Sequence, residues 1–87
     1  MHYEFIGIIK KIYKGAKAIV IDIDSEKILK KNEILGYKLQ NGFMEEVITS
    51  LQLDKANVDI AGPGASVGVS SIHFSLLKEG LNVFRVN

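Results

Sequence analysis

Short runs of β-branched and aromatic residues, each closed by glycine, asparagine, aspartate or a lysine-rich break, leave this chain little choice of secondary structure. Such a pattern, with apolar side chains at every second position, belongs to strands. Residues 16–24, AKAIVIDID, show it most clearly. Ile19, Ile21 and Ile23 share a parity with Lys17, whereas Ala18, Val20, Asp22 and Asp24 share the other. Side chains alternate across a strand, so the isoleucines face a core and the aspartates face water.

The other runs follow the same logic. Residues 3–13, YEFIGIIKKIY, form a first strand in which Gly7 marks a bulge or a close backbone approach. Lys14 and Gly15 turn it back. Residues 25–35 are the one stretch a helix could claim, but the apolar spacing fits only partly and Asn32 interrupts it. A loop through Lys31, then a strand over 33–39, is the better reading. Gln40-Asn41-Gly42 signals a tight hairpin. Residues 43–54 read as one long strand whose faces are both mixed, as expected where a strand curves around a barrel. Residues 55–64 read as irregular, a strand runs through Val67 and Val69, and an apolar cluster follows at Ile72, Phe74, Leu76 and Leu77. Lys78-Glu79-Gly80 turns into a last strand over 81–87. The expected fold is therefore all-β: a small closed or nearly closed antiparallel barrel of about six or seven strands.

At 87 residues the sequence predicts a single domain over 1–87 with one core. Absence of cysteine excludes disulfides, thiolate metal sites and cysteine nucleophiles within the chain. No apolar run reaches the roughly 20 residues needed to span a bilayer, and the first residues lack a secretory pattern, so a cytoplasmic location without membrane contact is expected.

Taken in order, GIIKKIYKGAKAIVID, ILKKNEILGY, EEVITSLQLD, VDIAGPGASVGV and LLKEGLNVFRV resemble a β-barrel found in two settings: the second domain of elongation factor Tu-like translation proteins and the C-terminal domain of the collagenase-like peptidase family. The likeness rests on Gly7, on Ala18 with Val20, on the 29–34, 47–54 and 61–68 stretches, and on Gly80 with Val83. It covers nearly the whole chain. Lys30-Lys31-Asn32 replace the Val-Gly usual before the third strand. In that family the Gly62-Pro63-Gly64 corner turns the chain into a strand, and Gly68 packs close to a neighbouring backbone. A phosphate cradle is excluded on spacing, since no Lys-Ser/Thr follows the glycines and no helix pattern begins there.

Asp22, Asp24, Glu26 and Glu33 fall at calcium-loop spacing, but Lys27 occupies the position that needs glycine. His2 and His73 are too few for a protein-only zinc site. His73 has serines nearby but no spacing that makes a catalytic triad, and it reads as an outward-facing strand residue. No catalytic residue, cofactor or metal is expected.

The remaining signal is electrostatic. Residues 1–38 hold eight of the eleven basic side chains and five of the ten acidic ones, a net +3 against −2 for the remainder. Lys10, Lys11, Tyr13, Lys14, Lys17, Tyr37 and Lys38 combine cations with aromatic rings, the means by which barrels hold RNA phosphates and bases. The resemblance implies the same partner, RNA or tRNA. The expectation is a non-catalytic module contacting RNA or a ribonucleoprotein. Its alternative is a protein-interaction or substrate-positioning accessory domain of a collagenase-like peptidase-family enzyme, partnered by a protein or a missing catalytic domain.

Overall fold

The computed structural model describes residues 2–87. Along them run β1 (Tyr3–Tyr13), β2 (Ala18–Ile23), β3 (Leu29–Lys30), β4 (Ile34–Leu39), β5 (Gly42–Val47), β6 (Leu51–Leu53), β7 (Ala56–Val58), β8 (Ile60–Ala61), β9 (Ser66–Ser70) and β10 (Asn82–Val86). A single 3-10 turn covers Phe74–Leu76. Eight strands form one antiparallel sheet in the order β5-β4-β10-β1-β2-β9-β6-β7, while β3 and β8 pair separately.

Alternation in β2 behaves as the sequence dictates: Ile19, Ile21 and Ile23 are 0%, 0% and 4% exposed. With Ile6, Ile9, Leu35, Leu51, Val67, Val69 and Val83 they make one continuous core. Each such side chain contributes about 1.5–3 kcal/mol when withdrawn from water. Gly7 sits at a register shift in the β1–β10 pairing, between Phe5 and Gly7. Its α-carbon lies so near β2 that a Cβ there would meet the Asp22 carbonyl oxygen at 2.1 Å.

The expected closed barrel does not form. β5 and β7 end the large sheet without pairing with each other, and ten strands replace the six or seven expected. The reason lies along the free side of β5. Ile48 N–H donates to Glu33 O at 2.8 Å, which sets the phase of the β4–β5 ladder. Alternate residues of an antiparallel strand direct their backbone groups to opposite sides, so Phe43, Glu45 and Val47 direct theirs away from β4. An irregular segment, residues 71–77, lies along that side and bonds to β5 through side chains, where closure would require a backbone ladder.

Three local expectations are also corrected. The long strand over 43–54 breaks at Ile48–Ser50, because Ile48 O accepts from Asn32 N–H outside the sheet and the buried parity switches from Glu46 and Ile48 to Leu51. Mixed faces thus signalled a break. Residues 55–64 are not mostly irregular but hold β7 and β8. The β6–β7 turn is Asp54-Lys55, both at positive φ (50° and 68°), a conformation usually marked by glycine or asparagine. Finally, Gly68 is not closely packed: the nearest atom to a Cβ there would be Gln52 O at an ordinary 3.7 Å.

The Gly62-Pro63-Gly64 corner is a turn into β9, with Gly64 at φ +73° and its N–H donating to Asp24 O at 3.2 Å. Asn32, φ 77°, takes the left-handed conformation that a glycine would otherwise supply.

At one end of the sheet Arg85 on β10 ties three segments together. It bonds Glu4 of β1 at 3.2 Å, both oxygens of Glu33 at 3.0 and 3.1 Å, and Ile28 O at 2.9 Å, while Lys27 reaches Glu4 at 2.8 Å. Arg85, then Lys27, hold the Glu4 carboxyl down at about 2. A depressed acid stabilises the folded state above its unfolded value of 4.5, and that contribution disappears as pH falls from 4.5 towards about 2. Acid unfolding followed by circular dichroism is therefore expected to steepen in this window. In Glu4→Gln the stability difference from the native chain should shrink over the same range. An unchanged difference would mean the ion pairs contribute nothing.

Candidate functional site

Met44 and Glu46 of β5 share the inward parity with Ile48 just beyond it, so an acid stands where the alternation demands an apolar side chain. Glu46 is 8% exposed. Buried charge is tolerated only when its lone pairs are occupied. Its Oε2 accepts from the hydroxyls of Tyr37 and Ser71, and its Oε1 accepts from Ile72 N–H at 3.0 Å. Burial, with the adjacent Glu46 carboxylate, pushes the Tyr37 phenol well above its ordinary range, so it stays a donor. This cluster fastens the 71–77 segment to the free side of β5.

The fastening leaves space on both sides of it. A cavity of about 590 Å³ is lined by Lys17, Glu46, Val47, Thr49, Ser71 and Ile72. A second of about 520 Å³ lies at the other end of β5, lined by Gly42, Phe43, Met44, Leu76, Lys78 and Leu81. Between them His73 Nε2 stands 3.3 Å from Glu45 O. Ile72 and Leu76 turn outward and are 80% and 57% exposed, unusual for large aliphatics on so small a domain.

On the outer face of the same strands, rings cover Gly36. Tyr3 stacks on Phe43 with centroids 4.2 Å apart, and Phe84 meets both Phe43 and Phe5 edge to face. A Cβ at Gly36 would stand 3.1 Å from Val86 Cγ2 and 3.5 Å from the Phe43 and Tyr3 rings, so Val86 and the rings together fill the place of the missing side chain. Phe5, Ile8, Phe43, Ile34 and Val47 all remain partly exposed there.

The sequence-predicted RNA residues are only partly brought together. Lys10, Lys11, Tyr13, Lys14 and Lys17 lie along the end of β1 and its turn into β2, all exposed, with Lys11 Nζ 5.5 Å from the Tyr13 ring centroid. Lys38 is exposed on β4, separated from β1 by β10. Tyr37 is corrected: it is fully buried, because its parity on β4 faces the core, and no base can stack on it. His73 is also corrected, standing in the turn before Phe74 and not in a strand. The calcium-spaced acids diverge, Asp22 accepting from Ser66 and Glu33 from Arg85. Among the described residues no cluster of three or more His, Cys, Asp or Glu side chains is placed to hold a metal, and no helix is long and apolar enough to cross a membrane.

Glu46 was not foreseen as a site residue, nor were Ser71 and Ile72. An acid on the apolar parity of FMEEVI was the available signal. Its partners Ser71 and Ile72 lie 25 and 26 residues away and carry none.

No protein-family model matches this sequence, and no curated protein matches it. Solved structures do match its fold. The C-terminal domain of a Geobacillus thermoleovorans protein described as a U32 peptidase superposes with a TM-score of 0.83 at 13% identity, covering 97% of this chain and 93% of that one. The selenomethionine variant of the same domain gives 0.78 at 14% identity, covering 95% and 99%. These matches support the collagenase-like peptidase half of the sequence resemblance and do not bear on the elongation factor Tu half. The chain shares the fold of that C-terminal domain.

Proposed function

We propose that this chain is a non-catalytic accessory domain of a collagenase-like peptidase-family protein, one that binds polypeptide in order to dock or position it. The observation that carries the reading is the near end-to-end match to the C-terminal domain of a protein described as a U32 peptidase. The exposed Ile72, Leu76 and Val47 beside two cavities support a protein ligand. The catalytic groups would lie outside these 87 residues. RNA contact, expected from Lys10, Lys11, Lys14 and Lys17, gains nothing from the fold likeness, and burial of Tyr37 removes one of its two stacking rings.

The test is fluorescence anisotropy of the purified chain with two labelled probes, an unfolded polypeptide (reduced, carboxymethylated α-lactalbumin) and bulk tRNA, from about 50 to 200 mM salt. Expected are saturable binding of the polypeptide with little salt dependence, and no cleavage of it on prolonged incubation. Binding of tRNA that collapses with salt, without polypeptide binding, would overturn the reading in favour of RNA.

A further inference from the structure

We propose that the larger cavity, beside Val47 and Ile72, is a pocket for one lysine side chain of the polypeptide that this domain binds. The inference rests on the polypeptide-binding reading above and names the residue type that anchors the ligand. Glu46 forms part of the wall of this cavity although it is only 8% exposed. A charge so far withdrawn from water is normally paired with an opposite one. Here every partner is a neutral donor: the Tyr37 and Ser71 hydroxyls and Ile72 N–H. The ion pairs among the described residues belong to Glu4 and Glu33, and none involves Glu46. The carboxylate is held in place by three bonds and has no counter-charge.

Its free acceptor position selects the cation. A carboxylate offers about four lone-pair sites, two on each oxygen. Oε2 already receives both hydroxyls and Oε1 receives one N–H, so a single site on Oε1 is left. An arginine fork needs both oxygens, whereas an ammonium pairs with one. The other N–H donors of that ammonium find hydroxyl acceptors in Thr49 and Ser70, which line the same cavity. Val47, Ile72 and Phe74 supply an apolar wall for the lysine stem.

Lys17 is the cation already on the wall of this cavity. Its backbone O is held by Ser71 N–H at 3.0 Å, while its side chain is exposed and joins none of the ion pairs. Water and salt therefore screen its repulsion of an incoming ammonium, and the desolvated Glu46 carboxylate is screened far less. Lys17→Gln should tighten binding of a lysine ligand about twofold.

The probe is a peptide, Gly-Val-Thr-Lys-Thr-Val-Gly, labelled with fluorescein at its N-terminus and amidated at its C-terminus, so that lysine carries the only cation. Anisotropy is measured beside the unfolded polypeptide of the previous test, and saturable binding is expected. Norleucine in place of lysine keeps the stem and removes the charge, and should weaken binding at least tenfold. Arginine should bind about threefold more weakly than lysine. Glu46→Gln, first confirmed by circular dichroism to be folded, should weaken the lysine peptide at least tenfold and leave the norleucine peptide unchanged. The norleucine peptide makes the same test on the unaltered protein. If the polypeptide binds but the lysine peptide binds no better than the norleucine or arginine one, or does not bind, the lysine pocket is overturned while the polypeptide-binding reading stands. If neither probe binds, both fall.

Discussion

Replacing Gly7 with alanine is expected to lower the unfolding free energy by about 3 kcal/mol or more, the upper range of overpacking in a well-ordered core. The new methyl would stand 2.1 Å from Asp22 O and 3.1 Å from the Ile23 α-carbon, both backbone atoms of β2, so no rotamer change relieves the clash. Relief requires separating β1 from β2, two strands in the middle of the sheet. Urea denaturation followed by far-ultraviolet circular dichroism measures this directly. Gly15→Ala is the control: nothing lies within 4 Å of its added carbon, and it should change stability by no more than about 0.5 kcal/mol. Equal effects at the two positions would show that β1 and β2 are not held at this distance.

Glu46→Ala is expected to cost about 3 kcal/mol, because three donors lose one acceptor at a buried site. The Tyr37 and Ser71 hydroxyls and Ile72 N–H all converge on this carboxylate. Tyr37→Phe removes a single bond and should cost about 1–2 kcal/mol, leaving Ser71 and Ile72 attached. The pair should not be additive, since both act in one network. The urea midpoints of the two single variants and the double variant give the coupling. Limited proteolysis should also find the 71–77 segment more accessible in Glu46→Ala than in Tyr37→Phe. A neutral Glu46→Ala would mean that this carboxylate does not fasten the segment to β5.

Most of the strands were legible because the information for them is local. Ile19, Ile21 and Ile23 alternate with polar neighbours and are buried, and Gly7 reads as a bulge or close approach and is both. The hairpin at Gln40-Asn41 was equally clear, with Gly42 at φ 137°. Short elements were missed where the usual punctuation was absent. Asp54-Lys55 makes a left-handed two-residue turn without glycine, and β3 and β8, of two residues each, are too short to show a period. The candidate site was least legible. Tyr37 looked like a ring beside Lys38, and only the cross-strand pairing of Tyr37 with Val83 turns it inward towards Glu46. His73 looked like a strand residue, and its position depends on Ser71 Oγ accepting its backbone N–H at 3.1 Å.

From its sequence alone this protein was bound to be all-β, with isoleucine-lined inner faces, a Gly62-Pro63-Gly64 corner and strands reversed at the Lys14-Gly15 and Gln40-Asn41-Gly42 turns. Each of these follows from side-chain period or backbone sterics within a few residues. Whether the sheet would close was decided elsewhere. Closure is a pairing between strands far apart in the chain, and here residues 71–77 take the side of β5 where a ladder would form, fastened by a buried carboxylate and an imidazole. That long-range competition for one strand edge kept the sheet from closing and left cavities toward both ends of β5, and no local pattern in the sequence encodes its outcome.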